Sequence, residues 1–121
     1  MFKLFGKKQI KNSAVAFGKK AENKAVKFLK KSGLEVLEQN YHSRFGEIDI
    51  IAESKDTLHF IEVKATNNEY DPLYRITAAK MEKITKTVEF YLLKNDVQKE
   101  YQIDAIIIYK DNIEWIKNIC Y

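Results

Sequence analysis

Three apolar runs follow one another between residues 34 and 66, separated only by polar breaks at 39–43 and 54–56. Their sequences are LEVLEQNY, RFGEIDIIAES and TLHFIEVKAT. Short runs of β-branched and aromatic residues bounded by polar residues are typical of strands. The sequence therefore predicts three strands in this region, with a tight antiparallel hairpin joining the last two.

A helical pattern precedes these strands, from Ser13 as the N-cap to Gly33 just past the C-terminus. At ~100° per residue, the apolar side of this helix includes Phe17, and the opposite side is rich in lysines such as Lys19. Glu22 falls inside the apolar arc, where an ionised carboxylate is unfavourable without a partner or a metal ion. Glu22 is therefore the residue of this helix that most needs a functional explanation.

A second helix is predicted after the strands, capped by Thr77 and continuing to about Asn95. The intervening NNEYDPLYR, with the only proline, is predicted to be a loop, and YQIDAIIIY and IEWIKNI predict two further strands. The order is then α, three β, α, two β. This order indicates an α/β fold with a mixed central sheet flanked by helices.

The size and composition of the chain narrow its class. At 121 residues the chain is about one domain long. This domain is predicted to occupy residues 13–121 and to follow a flexible basic arm at residues 1–12. Basic residues outnumber acidic ones by 21 to 17, which permits a polyanionic partner without requiring one. A single cysteine and two histidines exclude a disulfide scaffold and argue against structural zinc. Without a recognisable signal peptide or membrane span, we expect a cytoplasmic protein.

Charged residues interrupt both strands of the predicted hairpin: Glu47 and Asp49 in the first, and Glu62 and Lys64 in the second. Residues two apart share a face of a strand, so antiparallel pairing can bring both pairs together. Charges in such an apolar context must neutralise one another or bind an ion. Carboxylate oxygens suit Mg²⁺, and a nearby ammonium can orient a water or stabilise charge on a phosphate.

The spacing E-x-K is weak by itself, because it occurs at Glu22/Lys24, Glu53/Lys55 and Glu62/Lys64. The third pair differs in lying on a predicted buried strand that follows another one carrying Asp49. Cross-strand salt bridges on a solvated face, such as Lys64 with Glu47, would explain the same residues without any chemistry. Both interpretations stay open at the level of the residues alone.

The Asp of GEIDII, the E-V-K of FIEVK and an upstream helical Glu resemble the PD-(D/E)XK nuclease superfamily, especially small archaeal Holliday junction resolvases. A closer resemblance, to the uncharacterised YraN-like family, rests on further motifs. They are G-x-x-A-E-x-x-A from Gly18, N-Y-x-x-R-x-G-E-I-D-I-I from Asn40, F-I-E-V-K, I-T-x-x-K from Ile76, and the late Asp104, whose role is left open. The resemblance implies a restriction-endonuclease-like fold, Mg²⁺ or Mn²⁺ as cofactor, and cleavage of DNA.

The resemblance also implies a role for each acidic residue. Asp49 would be the central metal ligand, Glu62 the second carboxylate ligand, and Lys64 the catalytic lysine near the attacking water. Glu22 would complete the site from the helix. Glu47 would either be a further ligand or hold Lys64.

The chain departs from the family at three positions: Ala21 precedes Glu22 where the family has Gly, and His42 and Thr66 each replace an Arg. These departures leave the proposed metal ligands in place but remove expected phosphate contacts. The remaining candidates for contacting nucleic acid are Arg44, Arg75, Lys80 and, on the basic helix face, Lys19. A solvated surface role would explain any one of these four residues equally well.

Three functions compete. The first is a metal-dependent endonuclease acting on DNA, with branched or distorted structures as candidate substrates. The second is a nucleic-acid-binding module that keeps the nuclease fold without turnover, and the third is an interaction protein whose charges only form surface networks. The intact set of acidic residues and lysine argues against the second function. The resemblance to junction resolvases further suggests a homodimer, because a junction has two strands to cut.

Overall fold

The structure, a computed structural model, describes residues 2–67 and 76–119, with side chains from residue 16 onward. The elements are α1 (Phe2–Lys31), β1 (Glu35–Ser43), β2 (Gly46–Glu53), β3 (Thr57–Thr66), α2 (Ala78–Lys94), β4 (Glu100–Tyr109) and β5 (Asn112–Ile116). The predicted order of helices and strands is confirmed. The predicted loop NNEYDPLYR lies, apart from its first residue, outside the described ranges. Neither described helix is long and apolar enough to cross a membrane.

The predicted start of the first helix was wrong, because α1 begins at Phe2 and passes through Ser13. Residues 2–12, predicted to be an arm, therefore have helical backbone. They contain no proline, and their single glycine lowers helix stability by only about 1 kcal/mol relative to alanine. The predicted end is confirmed, since Gly33 follows the helix with a φ of 91°, a conformation that glycine adopts without strain.

The five strands form one sheet in the order β1-β2-β3-β4-β5. Neighbouring strands are antiparallel except for β3 and β4, which are parallel and joined through α2. The mixed sheet and the β2–β3 hairpin are therefore confirmed. In the hairpin, Ile50 pairs with Ile61 and Glu53 pairs with Leu58.

Each face of the sheet is covered by one helix. The cluster under α1 includes Leu29, Ile50, Ile61 and Ile106, and the cluster under α2 includes Ile48, Phe60, Ile84 and Val88. Burying a side chain of this size contributes about 1.5–3 kcal/mol, so the two clusters hold both helices on the sheet. The predicted cap of α2 is also confirmed, because the Thr77 hydroxyl accepts a hydrogen bond from Lys80 N at 3.1 Å.

Candidate functional site

Asp49 lies where β2 separates from β3. The pairing of these strands ends at Ile50 and Ile61. Beyond that point, the backbone N–H of Val63 donates to Asp49 Oδ2 at 2.8 Å. The carboxylate thus takes the position that a carbonyl of β2 would occupy in a continued ladder.

The regular alternation of side chains breaks at the same place. Ile48 and Ile51 pack in the cluster under α2, whereas Ile50 packs in the cluster under α1. In a regular strand, Ile48 and Ile50 would share a face. Strict alternation, which underlay the prediction that Glu47 and Asp49 point the same way, therefore does not hold in this part of β2.

Glu62 is held near the start of α2. Its Oε1 accepts a salt bridge from Lys80 Nζ at 2.9 Å, and its side chain is only 12% exposed, against 56% for Lys80. This hydrogen bond is the main reason why the pKa of Lys80 is raised, although burial opposes the effect. Lys80, predicted to contact phosphate, thus lies beside the proposed metal ligand Glu62.

Asn40 connects two further carboxylates. It has a φ of 53°, a left-handed conformation that Asn adopts more readily than most residues. Its amide nitrogen lies 3.3 Å from Glu22 Oε2. Turning the amide by 180° places the nitrogen 3.0 Å from Glu22 Oε1 and 3.1 Å from Glu47 Oε1. Only this second orientation lets one amide donate to both carboxylates, so we prefer it.

Asp49, Glu62, Glu22 and Glu47 together form what we call the carboxylate cluster. Burial is the largest cause that raises the pKa of Asp49 to about 7, and the negative charge of Glu62 is the second. The hydrogen bond from Val63 lowers the pKa of Asp49, while Glu22 and Glu47 raise it further. All three other carboxylates of the cluster thus act electrostatically on Asp49.

The cluster is not arranged as a finished metal site. Within residues 2–67 and 76–119, no three Asp, Glu, His or Cys side chains form a group that could hold a metal ion in the observed conformation. Glu62 is engaged by Lys80, and Glu22 by Asn40. The donor chemistry nevertheless fits, because carboxylate oxygens suit Mg²⁺ and Mn²⁺ and a cation would favour the ionised form of Asp49. Each of these contacts uses one carboxylate oxygen, so an ion could bind the other oxygen or replace the partner.

The other predicted residues have different surroundings. Lys64 lies two residues after Glu62 in a regular part of β3, opposite Ile107, so alternation places it on the face of Glu62. Arg44 is exposed, with its guanidinium 4.9 Å from the centre of the Phe45 ring. Lys19 is exposed on α1, away from any described ion pair, and Arg75 lies outside the described residues.

Two positions gain an explanation that sequence reasoning missed. A Cβ at Gly46 would lie 3.3 Å from Lys83 Cβ, so glycine lets the β1–β2 turn pack closely against α2. Asn40 bridges two carboxylates. The only sequence feature that pointed to a role for Asn40 was its position as the first residue of the family motif N-Y-x-x-R-x-G-E-I-D-I-I. His42, which stands where the family has Arg, lies with Nδ1 3.7 Å from Glu47 Oε2.

Another acidic residue, Asp104, lies on β4, outside the carboxylate cluster, and is completely buried. It accepts hydrogen bonds from the side chains of Gln102 and Trp115 and from the backbone of Asn118, and it contacts His59. The distances are 2.8 Å from Gln102 Nε2, 3.0 Å from Trp115 Nε1, 2.8 Å from Asn118 N and 2.7 Å from His59 Nδ1. We call these five residues the Asp104 network.

A mixed five-stranded sheet with a helix on each face, and acidic residues where two strands separate, is consistent with a restriction-endonuclease-like α/β fold. Residues 21–108 match the uncharacterised protein family UPF0102. The chain belongs to this family, which confirms the resemblance to the YraN-like proteins.

Relatives in Campylobacter resemble the chain over most of its length. The UPF0102 protein of Campylobacter fetus subsp. fetus is 50% identical over 105 residues, which cover 87% of this chain and 94% of the relative. The UPF0102 protein of Campylobacter hominis is 55% identical over 103 residues, which cover 85% of this chain and 92% of the relative. These names describe no activity, so function must be inferred from the site.

Proposed function

We propose that this protein is a metal-dependent endonuclease that hydrolyses DNA phosphodiester bonds, with branched DNA as the candidate substrate. The observation that carries the proposal is the gathering of Glu62, Glu22 and Glu47 around a half-buried Asp49, whose pKa rises to about 7. Such crowding disfavours ionisation and lowers stability, so perturbed carboxylates of this kind often mark functional sites.

Each residue would have a distinct role. Asp49 and Glu62 would hold Mg²⁺ or Mn²⁺ from neighbouring strands, and Glu22 and Glu47, which share the Asn40 amide, would supply further carboxylate oxygens. When bound, the metal would lower the pKa of a water and balance charge on the phosphate. The ammonium of Lys64 would orient that water and stabilise the charge that develops on the phosphate oxygens.

The second candidate function is a nucleic-acid-binding module without turnover. It is supported by the salt bridge between Glu62 and Lys80 and by the contact of Asn40 with Glu22, which occupy two of the carboxylates. The two functions differ in one measurable respect. A binding module retains affinity for DNA but never cuts it, whatever divalent ion is supplied.

The deciding experiment incubates the purified protein with labelled single-stranded, duplex, flap and four-way-junction DNA in Mg²⁺ or Mn²⁺. We expect cleavage by the parent protein, no cleavage or metal binding by Asp49→Ala, and weaker cleavage with intact metal and DNA binding by Lys64→Ala. If the parent protein binds these DNAs but cuts none, in either metal and at any protein excess, the binding module is the correct function.

Two matched controls exclude a contaminating nuclease. Glu62→Ala, prepared identically, should show no cleavage. A contaminating nuclease does not respond to this substitution, so cleavage that persists in the variant would come from a contaminant. Glu82→Ala changes the charge equally but alters an exposed residue of α2 that pairs with Lys86, so its cleavage rate should match that of the parent. The homodimer suggested by the resolvase resemblance is tested separately by sedimentation of the same preparations.

A further inference from the structure

A cavity of about 210 Å³ opens between α1 and the C-terminal ends of β3 and β4. Its lining includes Phe17, Lys20, Lys24, Thr66, Lys110 and Asp111. We call it the lysine-lined cavity. Neither the proposed metal ligands nor the predicted phosphate-binding residues are among its lining residues.

Phe17 has an unexpected environment. The sequence places it on the apolar side of α1 with Ala21 and Ala25, which are 5% and 0% exposed, yet Phe17 is 45% exposed. Residues 16–20 are all exposed, so this part of α1 extends beyond the sheet that buries the later turns. An aromatic ring thus remains accessible at the rim of the lysine-lined cavity.

The charge of the cavity is positive. Lys20, Lys24 and Lys110 contribute three positive charges against the single negative charge of Asp111. Lysines bind phosphate as point charges without sequence preference, and aromatic rings stack on bases of any type. Lysines and an accessible phenyl ring around one cavity are therefore complementary to a nucleotide, which combines a phosphate with a flat ring.

The cavity also lies close to the carboxylate cluster. Phe17 and Glu22 are five residues apart on α1, or ~7.5 Å along the helix axis at ~1.5 Å per residue. The two residues are also ~140° apart around the helix, but Ala21, which lines the cavity, directly precedes Glu22 of the carboxylate cluster. A strand whose phosphate reaches the carboxylate cluster would place a nearby nucleotide at the cavity.

We propose that the lysine-lined cavity binds an unpaired nucleotide of the DNA strand that enters the carboxylate cluster. The base stacks on Phe17, and the adjacent phosphates contact Lys20, Lys24 and Lys110. The base must be unpaired, because bases within a duplex are stacked on one another and present only their edges in the grooves. This proposal rests on the proposed nuclease function and specifies that its substrate has a single-stranded segment at the site.

The test measures binding of a labelled single-stranded oligonucleotide by fluorescence anisotropy in EDTA, so that no cleavage occurs. Lys20→Ala, Lys24→Ala and Lys110→Ala should each weaken binding and lower the slope of log affinity against log salt by roughly 0.7, the value for one phosphate contact on a single strand. Lys30→Ala is the matched control, because Lys30 is exposed on the same helix but does not line the cavity. It should change neither the affinity nor the slope.

Phe17→Ala should weaken binding about fivefold or more, the loss expected from removing one stacked base. Phe17→Trp should restore binding, and 2-aminopurine in the oligonucleotide should be quenched by the parent and by Phe17→Trp but not by Phe17→Ala. If all these variants bind like Lys30→Ala, or if the parent does not bind single strands, the cavity is not a nucleotide site. Cleavage of junction or duplex DNA in Mg²⁺ would then still support the nuclease function, so the two failures are distinguishable.

Discussion

Two aspartates of the central sheet show how differently a fold can treat a carboxylate. Asp104 is completely buried, and it lies among donors from three side chains and one backbone amide. Asp49 accepts a backbone hydrogen bond from Val63 but is surrounded by other carboxylates, which help to raise its pKa to about 7. The surroundings of Asp104 match a negative charge, whereas those of Asp49 oppose one.

The difference separates a structural carboxylate from a candidate ligand-binding one. Hydrogen-bond donors that converge on Asp104 tie β4 to β3, to β5 and to the segment after β5, because His59, Trp115 and Asn118 come from those parts of the chain. Acidic residues that converge on Asp49 have no such structural benefit. Lys80 already balances part of their charge through Glu62, and a further positive charge beside Asp49 would favour its ionised form.

The largest expected effect is on stability, from Asp104→Ala. Removing this completely buried carboxylate leaves the buried His59 and three less buried donors without their acceptor, which we expect to lower the free energy of unfolding by about 3–5 kcal/mol. Urea denaturation at neutral pH measures the loss. Asp111→Ala, which alters an exposed turn residue, is the charge-matched control and should change stability by about 0.5 kcal/mol at most. Equal losses in both variants would mean that the Asp104 network is not the structural anchor inferred here.

The next effect concerns metal affinity and pH. A metal ion must displace the proton from Asp49, whose pKa is about 7 in the folded protein. The affinity for Mn²⁺ should therefore rise about tenfold for each pH unit between pH 5 and pH 7, and it should be constant above pH 7. Calorimetry in buffers of different ionisation enthalpy should detect proton release on binding at pH 6. An affinity that does not vary over this range would separate Asp49 from the metal site.

A smaller effect, of opposite sign to that of Asp104→Ala, is expected for Asp49→Asn. The folded-state pKa of Asp49, about 7, lies above its ordinary value of 3.8, so between these values the folded protein holds a proton that the unfolded chain loses. The contribution of Asp49 to stability therefore decreases as pH rises through this window. The neutral amide avoids the penalty and can still accept from Val63 N–H, so Asp49→Asn should stabilise the fold by about 1–2 kcal/mol at pH 8.

The pH dependence provides the control for this prediction. At pH 4 the folded carboxylate is protonated and the unfolded one, with an ordinary pKa of 3.8, is only partly ionised, so most of the advantage of Asp49→Asn should be lost there. Urea unfolding of parent and variant at pH 4, 6 and 8 measures the trend. A variant that is less stable than the parent at pH 8 would show that Asp49, like Asp104, is a satisfied structural carboxylate.

The sequence could predict most of the fold because periodicity is a local signal. Alternating and β-branched runs identified every described strand, and the Thr77 cap identified the start of α2. The acidic residues were recognisable because charges are rare in such apolar runs. Phe17 lies on the predicted apolar side of α1 and is nevertheless 45% exposed, because periodicity shows which side of a helix is apolar but not how much of that side is covered.

The remaining features of the site depend on contacts between distant segments. The break in alternation at Asp49 follows from where β2 leaves β3, which no local pattern encodes. Asn40 meets Glu22 across 18 positions of sequence, and Lys80 meets Glu62 because α2 packs on one face of the sheet. Partners of this kind require the packed structure. They give Lys80 a second candidate role, as the partner of a carboxylate, beside the predicted phosphate contact, which stays a prediction.

The smallest expected effect is that of Lys80→Ala. This substitution tests whether Lys80 acts as the partner of Glu62 or as a contact to phosphate. Since Lys80 is 56% exposed, losing its salt bridge with Glu62 should reduce stability by less than about 1 kcal/mol. Glu62 would become available to an ion, so Mn²⁺ affinity should rise a few-fold while DNA affinity in EDTA stays constant. Lys86→Ala, which breaks an exposed pair with Glu82, controls for the change in net charge. If Lys80→Ala instead weakens DNA binding and lowers the salt dependence by one phosphate contact, Lys80 serves the nucleic acid, and the original sequence prediction was the better one.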